Sequence, residues 1–158
     1  MTTPTIPAIQ HGIDVRASAD HAFTVFTARM ATWWPLHLHS IGAGMDDRTA
    51  VGCAIEPRLG GRIYEVLDDG TELDWGRVVA WEPGRRVALD WNPSTEPRPY
   101  TRVEVRFTPT GSGTCRVDLT HSGWEAIGRA AEVRGSYDSG WPRTLALLAA
   151  AAEDAPAP

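Results

Sequence analysis

Six short segments in the middle of this sequence alternate apolar and polar residues with a period of two, which is the pattern of half-buried β-strands. Most of them are separated by short glycine-containing turns, at 59–61, 68–70, 82–84 and 110–113. Linkers this short allow hairpins, whereas parallel strands need a crossover of about a dozen residues or more. The sequence therefore predicts an antiparallel meander, with strands at 54–57, 61–67, 72–81, 86–91, 101–108 and 114–121.

Helical patterns lie on both sides of this meander. A first strand at 9–17 precedes Ser18, which we expect to cap a helix over 19–30 that ends at Trp33-Trp34-Pro35. Residues 36–51 are predicted to form a loop or lid. Apolar residues recur every three or four positions over 136–152 and predict a closing helix, with Pro142 either near its start or at a kink.

This element order indicates an α+β fold, in which a strongly curved sheet wraps around one long C-terminal helix. If the helix and the sheet do not pack flush, the space between them forms a ligand cavity. No internal repeat or linker interrupts the pattern, so we predict one domain over residues 1–158, with frayed tails at 1–8 and 153–158.

The composition excludes several classes of protein. The net charge is −5, which argues against a nucleic-acid-binding surface, and no apolar stretch is long enough to span a membrane. All 15 basic residues are arginine, so the chain can form no lysine Schiff base and has no P-loop lysine. Cys53 and Cys115 are expected to be buried free thiols. No secretory signal is visible, and we expect a cytoplasmic protein without a cofactor.

Strand alternation predicts which side chains face the helix. Val87, Leu89 and Trp91 share one face, and so do Val103, Val105 and Phe107 on the next strand. On the last strand the inward face carries Cys115, Val117, Leu119 and His121. Four aromatic side chains should then converge on one space, where they either stack a flat apolar ligand or simply fill the core: Trp75, Trp91, Tyr137 and Trp141.

Polar residues supply weaker candidates for catalysis. Glu65 alternates with Tyr64 and Val66, so it points inward, where it acts as a general base or forms an internal ion pair with Arg62 or Arg77. The ion pair is the favoured interpretation.

Two histidine motifs complete the set of candidates. His37 and His39 are spaced for a divalent metal only if a third ligand approaches; the sequence names none, so no metal site is predicted. His121 and Ser122 point to opposite faces of a strand and form no dyad unless the backbone turns. The catalytic candidates are therefore Glu65, His121 and His39.

Several motifs resemble the START-related (SRPBCC, helix-grip) superfamily, in the branch named for homologues of the activator of the ninety-kilodalton heat-shock protein's ATPase. They are WWP at 33–35, EPRLGGRIYE at 56–65, WGRVVAWEP at 75–83, THSGW at 120–124 and GW at 140–141. The resemblance covers nearly the whole chain and implies a helix-grip fold with a cavity. Known roles in the superfamily include binding of hydrophobic ligands, polyketide cyclisation and stress-related functions.

Three functions follow from these observations. The first is binding of a small, largely apolar or aromatic molecule by Trp34, Glu65, Trp75, Trp91, Phe107, His121, Tyr137 and Trp141. The second is an enzyme of the cyclase, aromatase or dehydratase kind that uses a histidine or glutamate of the cavity. The third is a co-chaperone-like interaction module with an exposed patch of Trp33, Trp34 and Trp124. A homodimer is left open.

Overall fold

A computed structural model describes residues 6–94 and 99–154. Seven antiparallel strands form one sheet in the order β1-β7-β6-β5-β4-β3-β2. The strands are β1 (Ile9–Val15), β2 (Ala50–Ile55), β3 (Arg62–Leu67), β4 (Glu72–Glu82), β5 (Arg86–Trp91), β6 (Thr101–Gly111) and β7 (Thr114–Ser122). The helices are α1 (Ala19–Thr27) and α2 (Ala130–Asp154), and short 3-10 turns lie at Met30–Thr32, Gly42–Gly44 and Trp124–Ala126.

The meander from β2 to β7 and the predicted α+β helix-grip architecture are confirmed. The first strand closes the sheet against the last one, with Ile9 opposite His121 and Val15 opposite Cys115. The side chains that alternation assigns to the inner face of β5, β6 and β7 are all buried, while the outer face carries ion pairs such as Arg62 with Asp74. Burying each large apolar side chain contributes roughly 1.5–3 kcal/mol to the folded state.

The first helix is shorter than its periodicity predicts. Ser18 caps it as expected, because its hydroxyl accepts a hydrogen bond from the His21 amide. The α-helix ends at Thr27, and the chain tightens into the 3-10 turn Met30–Thr32. Strand β2 begins at Ala50, four residues before its predicted start. It pairs with β3 along this length, with Ala50 opposite Leu67 and Ile55 opposite Ile63.

The C-terminal helix is longer than predicted. It begins six residues earlier, at Ala130, so Pro142 lies in its interior rather than near its start. The lost hydrogen bond at proline is offset by burial of the adjacent Trp141 and of Leu145 on the next turn. The predicted C-terminal tail is wrong at its first two positions, since α2 continues through Asp154 and Glu153 accepts a hydrogen bond from the Arg16 amide. Residues 1–5, 95–98 and 155–158 lie outside the described part.

Within residues 6–94 and 99–154, no helix is long and apolar enough to cross a membrane.

Candidate functional site

A cavity of about 260 Å³ opens between α2, the loop after α1 and the end of β5. Its volume lies just below the usual range of ligand pockets, which begins near about 300 Å³. More of its wall is apolar than polar. The lining residues are Trp34, Leu38, His39, Ser40, Trp91, Pro93, Ser136, Tyr137, Gly140, Trp141 and Thr144.

A cluster of tryptophans forms the inner wall of this cavity. The ring centre of Trp34 lies 5.5 Å from that of Trp75, 5.7 Å from Trp91 and 6.0 Å from Trp141. The indole N–H of Trp34 donates to the His39 carbonyl oxygen at 2.8 Å, and that of Trp91 donates to the Tyr137 hydroxyl at 3.1 Å. Rings held by both packing and hydrogen bonds form a rigid aromatic surface.

The face of α2 that lines the cavity carries small residues next to large ones. Ser136, Gly140 and Thr144 recur every four residues, so they form a shallow stripe along the helix. Tyr137 and Trp141 stand beside this stripe with their ring planes 25° apart. A flat stripe next to two nearly parallel rings matches the shape of a planar molecule.

Glu65 holds the loop that forms the opposite wall. One carboxylate oxygen accepts hydrogen bonds from the Trp75 indole N–H and the Ile41 amide, both at 2.6 Å, and the other accepts from the Gly42 amide at 2.9 Å. The side chain is fully buried. The three hydrogen-bond partners of the Glu65 carboxylate are all N–H donors, and such donors stabilise a buried carboxylate.

The predicted ion pair of Glu65 is therefore wrong. Arg62 binds Asp74 and Glu72 instead, and Arg77 binds Asp74, all on the outer face of the sheet. Arginines on the outer face of a strand cannot reach a carboxylate on its inner face, because successive side chains point to opposite sides.

Cys53, which is paired with Glu65 across β2 and β3, is expected to be chemically inert in the native protein. Burial and the nearby negative charge of Glu65 raise the pKa of the Cys53 thiol to about 12, and burial raises the pKa of Cys115. Because only the thiolate reacts, neither thiol should react with Ellman's reagent at pH 8 until guanidinium unfolds the chain. Rapid native reaction would contradict this placement.

His121 lies behind the cavity, where both of its ring nitrogens are hydrogen-bonded. Its Nδ1 accepts from the Trp141 indole N–H at 3.1 Å, and its Nε2 lies 2.7 Å from the Thr101 hydroxyl. Since an indole N–H only donates, Nδ1 must be unprotonated and Nε2 carries the proton. Burial lowers the pKa of His121 to about 3. The ring is thus neutral and orients Trp141.

The structure brings together half of the residues predicted to contact a ligand. Trp34, Trp91, Tyr137 and Trp141 line the cavity, and so does the catalytic candidate His39. The other four are buried and do not line the cavity: Glu65, Trp75, Phe107 and His121. Phe107 packs against α1 instead, with its ring centre 5.4 Å from that of Phe23.

The prediction missed the small lining residues of α2 and those of the loop. Their only signal was the four-residue spacing of Ser136, Gly140 and Thr144 within the predicted helix over 136–152. Leu38 and Ser40 lie on either side of His39 in the loop after α1. Only the folded path of that loop brings them to the cavity wall.

The HxH motif contributes one residue to the site. His39 lies at the rim with its ring toward Gly140, where an added Cβ atom would lie 3.6 Å from both Cε1 and Nε2. His37 is exposed and is not a lining residue. In the part of the chain that the structure describes, no three histidine, cysteine or acidic side chains are grouped so that they could hold a metal ion.

The predicted interaction patch is wrong. Trp33, Trp34 and Trp124 are buried, with 7%, 6% and 0% of their surface exposed. The indole N–H groups of Trp33 and Trp124 donate to the backbone oxygens of Val25 and His121, inside the core. Aromatic rings with satisfied internal hydrogen bonds cannot form an exposed docking surface.

Comparison with known proteins agrees with this fold. Residues 16–153 match the family described as activator of Hsp90 ATPase homolog 1-like protein. The chain belongs to this family. No curated protein matches its sequence.

Solved structures with similar folds cover nearly the whole chain. An anthrahydroquino-γ-pyrone synthase, Txn09, complexed with SUM, is 36% identical over 92% of this chain and 96% of its own, with a TM-score of 0.62. The self-sacrificing resistance protein CalC from Micromonospora echinospora is 23% identical over 94% and 95%, with a TM-score of 0.65. The Aha1 dimer from Colwellia psychrerythraea is 19% identical over 94% and 98%, with a TM-score of 0.64.

Proposed function

We propose that this family member is a cytoplasmic protein that binds a planar, fused-ring aromatic molecule between α2 and the loop after α1. The observation that carries the proposal is the cavity itself, with tryptophans on one side and the flat stripe of Ser136, Gly140 and Thr144 on another. Stacking on rigid aromatic side chains favours flat apolar ligands over flexible ones. The two buried free cysteines fit a reducing compartment.

The 36% identical pyrone synthase supports the same ligand class. Its name describes a pyrone ring joined to an anthrahydroquinone, which is a flat polycyclic skeleton. The likeness extends along 92% of this chain and 96% of the synthase. A homodimer of this chain stays a prediction, which light scattering after size exclusion can test.

Filling the cavity from α2 is expected to weaken binding of an aromatic probe. Gly140→Leu places an isobutyl group in the stripe, where the first added atom makes only ordinary contact with His39 at 3.6 Å. We expect the affinity for 1,8-dihydroxyanthraquinone, measured by quenching of tryptophan fluorescence and by calorimetry, to fall at least tenfold. Replacing a helical glycine by leucine removes a helix penalty of roughly 0.8–1 kcal/mol, so the variant should fold.

Gly135→Leu is the matched control for this experiment. Gly135 is exposed on the same helix, has nothing within 4 Å of an added Cβ atom, and does not line the cavity. It receives the same helix stabilisation without filling the cavity. If both variants bind the probe as the native protein does, the probe does not occupy the cavity and the proposal fails.

A second candidate function is ring closure of such a molecule within the cavity. Its support is specific: the 36% identical protein is a synthase named for the pyrone it forms. Binding and catalysis are separable, since a protein can hold an aromatic molecule without changing it. Turnover of a model substrate by the native protein distinguishes the two.

A further inference from the structure

We infer that His39 is the proton-transfer residue of a dehydrative ring closure on an aromatic substrate held in the cavity, an inference that rests on the proposed function. The described lining residues include two ionisable side chains, His39 and Tyr137. Two of the other lining hydroxyls form local hydrogen bonds: Ser40 donates to the Leu36 carbonyl oxygen, and Thr144 donates to that of Gly140.

The backbone of His39 is held in place by three neighbouring contacts. Its amide donates to the Pro35 carbonyl oxygen at 2.9 Å, and its own carbonyl oxygen accepts from the Trp34 indole at 2.8 Å. Two residues further on, Glu65 binds the Ile41 amide. A base on a fixed backbone can be aligned with a reacting hydrogen, which is the condition for efficient proton transfer.

The imidazole ring crosses the mouth of the cavity toward α2. The absence of a side chain at Gly140 leaves room for its Cε1–Nε2 edge, and the ring centre lies 6.5 Å from that of Trp34. A flat substrate lying along the stripe of α2 would thus bring its edge beneath an imidazole nitrogen.

The charges around His39 favour its neutral, proton-accepting form. The His39 side chain is partly exposed to solvent, but its partial burial lowers its pKa below the ordinary value of 6.5, and the positive charges of Arg143 on α2 and of the neighbouring His37 lower it further. At neutral pH the ring therefore has an unprotonated nitrogen, as a general base requires.

The chemistry that this base can serve is closure of a γ-pyrone from an aryl 1,3-diketone that carries an ortho hydroxyl group. His39 takes the phenolic proton while that oxygen forms a C–O bond to the distal carbonyl carbon, and the resulting alkoxide takes the proton back. The imidazole then removes a proton from the intervening CH₂ group and passes it to the departing hydroxide, which leaves as water. One C–O bond forms, one water leaves, and no oxidant or reductant is consumed.

The test uses 1-(1-hydroxynaphthalen-2-yl)butane-1,3-dione as substrate, with pyrone formation followed by absorbance and mass spectrometry. We expect the native protein to accelerate closure over buffer, with a rate that falls in acid as His39 is protonated, on the acid side of the ordinary histidine pKa of 6.5. His39→Gln should lower kcat by about 10²–10⁴-fold, a loss much larger than any change in its affinity for 1,8-dihydroxyanthraquinone.

Two further variants separate a role in proton transfer from a structural one. His37→Gln, the same substitution at an exposed position two residues away, should keep the plateau rate. Arg143→Gln should move the acid limb of the pH–rate profile to higher pH, because it removes a positive charge that opposes protonation of His39.

The outcomes distinguish failure of this inference from failure of the proposed function. Probe binding without acceleration by the native protein, or full activity in His39→Gln, overturns the role of His39 and leaves ligand binding intact. If neither the probe nor the diketone binds the native protein, both proposals fall.

Discussion

Replacing Glu65 by glutamine is expected to lower the midpoint of thermal unfolding by roughly 6–12 °C, which corresponds to a loss of about 3 kcal/mol for a chain of this size. The carboxylate accepts three hydrogen bonds, from the Trp75 indole and from the amides of Ile41 and Gly42. A glutamine oxygen can accept the first two, but its NH₂ group then faces the Gly42 N–H, donor against donor. A buried donor left without a partner costs about 1–3 kcal/mol, and the remaining bonds lose their charge assistance.

The same variant should loosen the wall of the cavity selectively. Glu65 binds the residues directly after Leu38, His39 and Ser40, so we expect faster hydrogen exchange at the Ile41 and Gly42 amides and weaker binding of 1,8-dihydroxyanthraquinone. This links the stability of the core to the shape of the site.

Glu72→Gln is the control for this substitution. Glu72 lies on the neighbouring strand with 46% of its side chain exposed, and it pairs with Arg62 at 3.0 Å. An exposed ion pair contributes about 0–1 kcal/mol, so the midpoint should move little. Equal shifts in the two variants would show that the contacts of Glu65 do not stabilise the loop.

The stability of the folded protein is expected to fall as the pH drops from about 6.5 toward 3, with a slope approaching 1.4 kcal/mol per pH unit from His121 alone. Burial lowers the pKa of this histidine to about 3 in the folded chain, whereas it is near 6.5 when the chain is unfolded. Between these values the unfolded state binds one more proton, so acid favours unfolding. Above about pH 6.5 the contribution is constant.

His121→Gln should reduce this slope between pH 6 and 4.5, in urea unfolding at a series of pH values. Glutamine can accept from the Trp141 indole and donate to the Thr101 hydroxyl without titrating. The other titrating groups, His39 included, are common to His121→Gln and the native protein, so the difference between the slopes of these two proteins isolates His121. Identical slopes would contradict the buried neutral imidazole.

Most of the sheet could be predicted because its signals are local. Alternation placed Val103, Val105 and Phe107 on the inner face of β6, and the turn residues marked where each hairpin reverses. The exact extent of α2 was harder to predict, since glycine and proline within it indicate a break. Its burial against the sheet and its contacts with β1, such as His11 with Asp138 at 2.8 Å, keep it continuous.

Local sequence patterns predict the order of the elements, the antiparallel meander, the inward face of each strand and the position of aromatic residues near α2. Each of these depends on residues a few positions apart in the chain. Packing of distant segments makes Glu65 bind a loop more than 20 residues away and buries Trp33 and Trp124. The same packing keeps His121 neutral and brings His39 to the cavity. These roles are set by hydrogen-bond partners and burial that residues acquire only when distant segments pack together.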